Sequence, residues 1–212
     1  FVYSFKGVIV MRTHITETTV YTFSELSEQA QNYAIEKQSQ YQSELFDADN
    51  CKYDIKILFS LFGLDVAHIY YTGFWSQGDG ACFEGSYKFK KGGLQALKDY
   101  APRDRELHDL VAQLNKLSRD NFYRMAFTTK QRGHYYHENS MNVECDRNDI
   151  EYYNEVTVVN EDAIHELIKE LARYIYKRIY DEYEYATSYD TCKEYLLDSD
   201  YEYTVDGAVF HE

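Results

Sequence analysis

The stretch from residue 66 to residue 89 predicts an antiparallel β-hairpin, and no other part of the sequence limits the fold as strongly. Residues 66–75 are rich in β-branched and aromatic side chains, which is typical of a strand. Side chains alternate between two faces over residues 81–89, and Cys82 falls within this second predicted strand. Between the two predicted strands lie residues 76–80, with the sequence SQGDG. This segment contains two glycines and an aspartate, residue types that tight hairpin turns favour.

The remaining helix and strand patterns do not alternate regularly, which predicts an α+β fold. Apolar periodicity predicts helices over residues 24–46, 50–62, 94–100, 103–118, 161–185 and 188–197. Further strands are predicted at residues 14–22, 121–130, 134–145 and 150–159, and a small closing hairpin at 201–210. We therefore expect a mostly antiparallel sheet of hairpins packed with helices.

Local signals mark the ends of some of these helices and the faces that they bury. Thr22 and Glu25 fit a capping box, and Gly63 is a natural stop for the second helix. The first helix is predicted from six residues that recur at helical spacing, namely Leu26, Ala30, Tyr33, Ala34, Tyr41 and Leu45. The long helix over 161–185 is expected to bury Ile164, Leu167, Ile168, Leu171, Ile175 and Ile179.

Length and composition favour one compact domain over residues 1–212. Apolar residues make up 44% of the chain, which is enough for a sizeable core, and Pro102 is the only proline. No stretch of 18 apolar residues predicts a membrane helix. Residues 1–10 are interpreted as an N-terminal extension, since Met11 offers an alternative start.

The cysteine pattern predicts reduced thiols in a cytoplasmic protein. Cys51, Cys82, Cys145 and Cys192 are widely separated and form no C-x-x-C pair. Disulfide frameworks and structural zinc sites usually show tighter spacing. We therefore expect no disulfide and no bound metal or other cofactor.

The charge of the chain is concentrated in its last third. The formal net charge is −14, and all of it falls in residues 134–212, where acidic side chains alternate with tyrosines. Residues 134–212 should repel nucleic-acid phosphates, so no direct nucleic-acid binding is expected. A solvated acidic face is one interpretation of the pattern. The other is a surface that binds a basic partner protein, because tyrosine is enriched in interfaces.

Eight acidic residues are predicted to contact such a partner. They are Asp181, Glu182, Glu184, Asp190, Glu194, Asp198, Asp200 and Glu202. The partner expected from their charge is a protein with a basic nucleic-acid-binding surface. The oligomeric state of the chain is left open by the sequence.

A cysteine-dependent enzyme is an alternative hypothesis. The sequence Asp-Gly-Ala-Cys-Phe at 79–83 resembles the nucleophile motif of ovarian-tumour-type cysteine proteases. That resemblance implies Cys82 as the nucleophile and a histidine near the C-terminus, His211, as the base. In that family the cysteine opens a helix, whereas strand alternation follows Cys82 here, so a structural cysteine is favoured.

Two other side-chain groups are candidate sites. His134 and His137, with Glu138, Cys145 and Asp146 nearby, suggest a metal cluster. A spacing of three residues in a strand places the two histidines on opposite faces, so both could bind one metal only if the strand bulged. A small-molecule site, for example for a nucleotide signal, would use the aromatic hairpin and nearby lysines. Its candidate residues are Tyr71, Phe74, Trp75, Lys88 and Lys90.

Two stretches are similar to a family of small proteins encoded by tailed bacteriophages and prophages. VYTFSELSEQAQNYAIEKQ at 20–38 resembles the family's FxELSxxA helix, and GFWSQGDGACFEGS at 73–86 resembles its FWSQGDGACF hairpin. The resemblance covers roughly the first 90 residues, and the acidic last third lies outside it. It implies a phage product that acts in the bacterial host cytoplasm.

This origin suggests an inhibitor of a bacterial defence system, comparable to anti-CRISPR proteins. Such an inhibitor would bind a host protein through an acidic, tyrosine-rich surface, in the manner of a nucleic-acid mimic. Sequestration of a nucleotide signal is the alternative, and an enzyme is the less favoured class.

Overall fold

The computed structural model describes residues 17–147 and 158–211. The chain divides into two compact units. Unit 1 comprises Phe1–Glu44 and Thr187–Glu212, and unit 2 comprises Leu45–Ala186. The single-domain organisation stays a prediction, and each unit is described by itself.

Helices and one antiparallel sheet make up the described residues, so the predicted α+β class is confirmed. The helices are α1 Glu28–Leu45, α2 Asp49–Leu61, α3 Gly93–Tyr100, α4 Arg105–Asp120, α5 Val158–Thr187 and α6 Tyr189–Asp198. The strands are β1 Leu64–Tyr71, β2 Ala81–Lys88, β3 Met125–Gln131 and β4 Met141–Arg147. No helix in these ranges is both long and apolar enough to cross a membrane.

Unit 2 is built on a four-stranded antiparallel sheet whose order follows the chain, β1-β2-β3-β4. The predicted hairpin is confirmed, because Tyr71 pairs with Ala81 beside the SQGDG turn and Leu64 pairs with Tyr87 at the far end. Buried side chains of the sheet, such as Phe83 and Phe127, share one apolar core with the helices of the unit.

The predicted buried stripe of α5 is also confirmed. Ile164, Leu167, Ile168, Leu171, Ile175 and Ile179 are each less than 5% exposed. Removing a large aliphatic side chain of this kind from water stabilises the fold by about 1.5–3 kcal/mol. Because this stripe is buried, the opposite side of α5 faces solvent. That polar side carries the acidic residues of the helix.

Unit 1 has a smaller core, formed by α1, α6 and the C-terminal segment. Phe23, Ala34, Cys192, Leu196 and Tyr203 are among its buried residues. Tyr203 forms single β-bridges to Tyr21 and to Val209, which closes the small C-terminal hairpin that the sequence predicts.

The start of the chain differs from its prediction. Residues 17–22 of the predicted strand 14–22 form only the bridge at Tyr21, and residues 14–16 lie outside the described ranges. The Thr22–Glu25 capping box exists but opens a single 3₁₀ turn. Because Leu26 then adopts an extended conformation, α1 begins only at Glu28.

Ala30 and Ala34 of α1 are buried, whereas Tyr33, Tyr41 and Leu45, which share the same helical spacing, are exposed. Two further predictions need correction. Residues 134–140 form a loop and a 3₁₀ turn rather than the start of a strand, so β4 begins at Met141. The predicted strand over 150–159 ends in Val158 and Val159, which belong to α5, while 150–157 lie outside the described residues.

Candidate partner-binding surface

Phe74 is the centre of an aromatic cluster between the turn after β1 and the C-terminal half of α5. Its ring centroid lies 4.8–6.2 Å from those of Phe46, Tyr71, Tyr176, Tyr180 and Tyr183. The three tyrosines of α5 are spaced four and three residues apart, so they follow one face of the helix. The cluster therefore anchors the hairpin turn to α5.

Trp75 stands at the edge of this cluster and is 74% exposed. Its ring lies 6.2 Å from that of Tyr183 and 6.4 Å from that of Tyr180, both in edge-on geometry. Other aromatic side chains, such as Phe122 and Tyr135, are as exposed as Trp75. Trp75 is the one tryptophan of the chain, and tryptophan is strongly enriched among residues that dominate binding energy in interfaces. The position of Trp75 therefore suggests a contact residue.

Hydrogen bonds fix the turn that carries Trp75. The Ser76 amide donates to Asp79 Oδ2 at 2.6 Å, and the Tyr176 hydroxyl donates to the Gly73 carbonyl oxygen at 3.0 Å. Gly78 has a φ of +98°, which side chains with a Cβ rarely adopt. Such a turn loses little conformational entropy when it binds, which favours affinity.

Carboxylates border the aromatic cluster on α5. Tyr180 and Glu184 are one turn apart, and the hydrogen bond between their side chains, more than burial, raises the pKa of Tyr180. Asp181 is exposed and accepts a hydrogen bond from Lys177 at 2.8 Å. We call the group Phe74, Trp75, Tyr176, Tyr180, Tyr183, Asp181 and Glu184 the aromatic–acidic surface.

Glu182 is exposed and follows Asp181 on α5. Successive residues of a helix are about 100° apart, which places Glu182 roughly 200° from Tyr180 and about 100° from Tyr183. Burial raises the pKa of the Cys51 thiol on α2, and the charges of Glu182 and Asp181 both add to this effect, while Arg178 opposes it. Glu182 therefore lies farther around the helix from Tyr180 than Asp181 does.

The other five predicted acidic contacts belong to unit 1. Asp190, Glu194, Asp198, Asp200 and Glu202 are all exposed. The first three lie four residues apart on α6 and so share one helical face. Their part in the same partner contact stays a prediction.

Lys88 and Lys90 do not lie with the aromatic residues of the predicted ligand site. Tyr71 is paired beside the turn, whereas Lys88 is at the other end of β2, seven residues from Ala81. At about 3.3 Å per residue this separation exceeds 20 Å. Lys52 provides the cation near Tyr71 instead, with Nζ 5.2 Å from the ring centroid.

Cys82 lies within β2, as the sequence predicts, but its side chain is fully buried. Burial raises the pKa of the thiol, and hydrogen bonds from Ser140 and the His137 backbone only partly oppose this effect. A nucleophilic cysteine needs the opposite shift, because the thiolate is the reactive form. His211, the proposed base, belongs to unit 1, whereas Cys82 belongs to unit 2.

We expect Cys82 to react slowly with iodoacetamide at pH 6, because a raised pKa leaves almost no thiolate. Intact-mass measurement should show full labelling only after urea unfolding. Cys82→Ser should leave the melting temperature and partner binding close to those of the parent chain. Rapid labelling of folded protein at Cys82 would instead support the protease hypothesis.

The histidines of the suspected metal cluster lie in the loop between β3 and β4, not in a strand. His137 Nδ1 is 3.0 Å from Glu138 Oε2, and Glu138 Oε1 is 3.1 Å from Arg173 Nε. Within residues 17–147 and 158–211, no group of three or more His, Cys, Asp or Glu residues is arranged to hold a metal ion. The His137 ring packs on Gly80 beside the hairpin turn, where a Cβ would lie 3.0 Å from it.

A cavity of about 640 Å³ lies beside the start of α4 and is lined by both acidic and basic side chains. No sequence pattern predicts it. Asp104 caps α4 by accepting from the Leu107 amide at 3.1 Å, and it accepts from the Tyr174 hydroxyl at 2.5 Å. Burial and this carboxylate together raise the pKa of Tyr174. The contact between Asp104 and Tyr174 joins residues 70 positions apart, which no local pattern predicts.

Fold and surface together define a class: an α+β protein that presents an exposed tryptophan on a tyrosine cluster flanked by carboxylates. Residues 48–189 match the model of a family described as a domain of unknown function, DUF8835. The match covers more than half of the chain, which therefore belongs to this family. It spans nearly all of unit 2 and includes the whole aromatic–acidic surface. No curated protein and no solved structure matches the chain.

Proposed function

We propose that this protein binds another protein through the aromatic–acidic surface and inhibits it. The observation that carries the proposal is Trp75, which is 74% exposed on a rigid turn and stands against Tyr180 and Tyr183. Aromatic anchors of this kind supply most of the energy in many interfaces. Unlike a lone exposed side chain, Trp75 rests on a supporting layer of rings.

The carboxylates of the aromatic–acidic surface indicate what kind of protein the proposed partner is. Glu184 and Asp181 lie beside the aromatic rings, and Lys177 is the one cation with which Asp181 is paired among the described residues. With a net charge of −14, the chain attracts basic surfaces over distances longer than a contact. The partner is therefore a protein whose lysines and arginines normally bind nucleic-acid phosphates, and the carboxylates occupy the phosphate positions.

The biological setting of the proposal comes from the phage resemblance of residues 20–38 and 73–86. The second of these stretches contains Phe74, Trp75 and the turn that carries them. A phage protein that blocks a nucleic-acid-binding surface is suited to inhibit a host defence system, in the manner of anti-CRISPR proteins. The host cytoplasm is then the place of action.

The test is a pull-down from a bacterial host, followed by binding measurements with the captured protein. We expect the dissociation constant to rise steeply between 0.15 and 1 M salt, since the screening length falls from about 8 Å to about 3 Å. DNA or RNA should compete with the inhibitor, because both would use the same basic side chains.

The double variant Asp181→Asn, Glu184→Gln should weaken binding and reduce its dependence on salt. Glu166→Gln is the matched control, because Glu166 is an exposed carboxylate paired with Lys169 about four turns away on α5. Melting temperatures should stay close to the parent value, because surface carboxylates contribute little to stability. Binding that is insensitive to both salt and nucleic acid would contradict the mimicry. Equal losses from Glu166→Gln would contradict the location of the surface.

A further inference from the structure

The turn that follows α4 holds two aromatic residues in the left-handed backbone region. Phe122 has a φ of +56° and Tyr123 a φ of +59°, and no other residue with a Cβ has a positive φ within residues 17–147 and 158–211. Glycine or asparagine usually ends a helix in this conformation, because a Cβ there lies too close to the following carbonyl oxygen. Backbone strain of this kind is concentrated at functional sites, where the surrounding structure holds it in place.

Hydrogen bonds hold this strained turn. The Tyr123 amide donates to the Ser118 carbonyl oxygen at 2.6 Å. Asn121 is fully buried, and its side-chain amide donates to the Leu117 carbonyl oxygen at 2.9 Å. These bonds fix the backbone of the turn without using the ring of Phe122.

The rings of the turn lie in solvent at one end of the sheet. Phe122 is 75% exposed and Tyr123 is 51% exposed. The Tyr123 ring packs on that of Phe89, which directly follows β2, with the ring centroids 4.5 Å apart. The Tyr87 hydroxyl lies 2.9 Å from Ser118 Oγ, which places this end of β2 against the last turn of α4. Exposed aromatic residues therefore come from two segments that meet.

Cationic side chains are concentrated on the same two segments. Residues 88–91 and 116–124 contain six cationic side chains and one carboxylate, that of Asp120, in a chain whose net charge is −14. The six are Lys88, Lys90, Lys91, Lys116, Arg119 and Arg124, and all are exposed. Asp120 lies 3.6 Å from Arg119 and so offsets only part of this charge. We call the six cations together with Phe89, Phe122 and Tyr123 the basic–aromatic surface.

The basic–aromatic surface is distant from the aromatic–acidic surface. Lys88 lies at the end of β2 opposite the turn that carries Trp75, about 20 Å or more from Ala81. Charges separated by more than about 8 Å are largely screened at physiological ionic strength, so the carboxylates beside Trp75 repel an anion here only weakly. The surface also lies outside residues 134–212, which carry the negative charge of the chain.

We propose that the basic–aromatic surface binds single-stranded nucleic acid. Proteins that bind single strands combine cations along the phosphate backbone with exposed aromatic rings on which bases stack. The surface presents both groups, and duplex nucleic acid would leave its rings unused because the base faces are stacked inside the helix. An acidic protein would pair with the cations but has no comparable use for the Phe122 ring.

Fluorescence anisotropy of a labelled oligothymidylate of about 12 nucleotides tests the proposal with the full chain. We expect saturable binding with a dissociation constant on the order of 10 μM at about 50 mM salt, and weaker binding as salt is added. The same sequence paired into a duplex should bind at least fivefold more weakly. An acidic polypeptide such as polyglutamate should compete with the oligonucleotide poorly.

Two substitutions separate the cations of the surface from the charge of the whole chain. Lys88→Gln, Lys91→Gln should weaken binding at least fivefold and reduce the slope of log K against log salt by up to about 1.4, since each lost phosphate contact removes about 0.7. Lys37→Gln, Lys193→Gln removes the same number of cations from unit 1 and is the matched control. Equal losses from the two double variants would overturn the location of the site.

Phe122→Gly separates a contact with the strand from a structural role. Glycine adopts the left-handed region without strain, so the melting temperature should equal or exceed that of the parent chain, while binding should weaken at least fivefold. Tyr135→Ala, which removes an aromatic side chain of similar exposure from the loop after β3, should leave binding unchanged.

The proposal is overturned if the parent chain shows no saturable binding of the oligonucleotide, or if Phe122→Gly binds it as the parent does. Duplex binding as tight as that of the single strand, or equally strong competition by polyglutamate, would also overturn it. Trp75→Ala should not change oligonucleotide binding, so these results are independent of the aromatic–acidic surface. The Phe122→Gly chain also removes this direct binding from the competition between nucleic acid and a captured partner protein.

Discussion

Replacing Leu171 with alanine should lower the free energy of unfolding by about 2–5 kcal/mol. Leu171 is 1% exposed and lies midway along the buried stripe of α5. Its neighbours in the core come from α5 itself, from the other helices and from the sheet of unit 2. The substitution removes apolar contacts and leaves a cavity that the packed surroundings fill only in part.

Urea unfolding followed by circular dichroism measures this loss. Glu166→Ala is the matched control on the same helix, since Glu166 is exposed and pairs with Lys169 at the surface. Its expected effect is about 1 kcal/mol or less. If Leu171→Ala unfolded at the parent's urea concentration, α5 would bury a different face, and the aromatic–acidic surface would not be where the structure places it.

The elements with the clearest periodicity were predictable from the sequence. The stripe of α5 and the β1–β2 hairpin follow from local patterns, because a helix or hairpin buries the face on which its apolar residues recur. The loop before β4 was not predictable in this way. Tyrosines and histidines at 134–137 suit a strand, but this segment turns to place the His137 ring against Gly80, a contact that no local pattern encodes.

The sequence predicts the aromatic and the acidic residues as two separate groups. Phe74 and Trp75 are candidates for a ligand site with Lys88, whereas Asp181 and Glu184 are candidates for a partner contact. The structure brings the aromatic and acidic groups together and leaves Lys88 at the far end of the hairpin. Only tertiary packing of the turn on α5 decides which groups meet, and the two segments are about 100 residues apart.

The cavity of unit 1 had no signal in the sequence. Tyr33 and Tyr41 follow the helical spacing of apolar residues on α1, yet they are exposed and line a cavity of about 470 Å³ between α1 and the C-terminal segment. An apolar stripe predicts that a helix face is covered, but it does not distinguish a packed core from the wall of a cavity. Tyrosine suits either place, because its ring is apolar and its hydroxyl is polar.

Replacing Gly63 with alanine should cost about 4 kcal/mol or more, the range reached only by severe local disruption. Gly63 joins α2 to β1 with a φ of +94°. A Cβ at this position would lie 2.1 Å from the Lys88 carbonyl oxygen. The Lys88 amide donates to the Gly63 carbonyl oxygen at 3.0 Å, so neither backbone can withdraw without losing this hydrogen bond.

Gly78→Ala is the matched control, because it isolates backbone strain from steric overlap. Gly78 has nearly the same φ, +98°, but no atom lies within 4 Å of a Cβ built on it. Strain alone costs about 1–2 kcal/mol, so urea unfolding of the two variants should differ by at least about 2 kcal/mol. Equal losses would mean that the α2–β1 junction moves freely away from Lys88. The pairing register of the β1–β2 hairpin, whose turn carries Trp75, would then be fixed by other contacts, such as the hydrogen bonds of the turn.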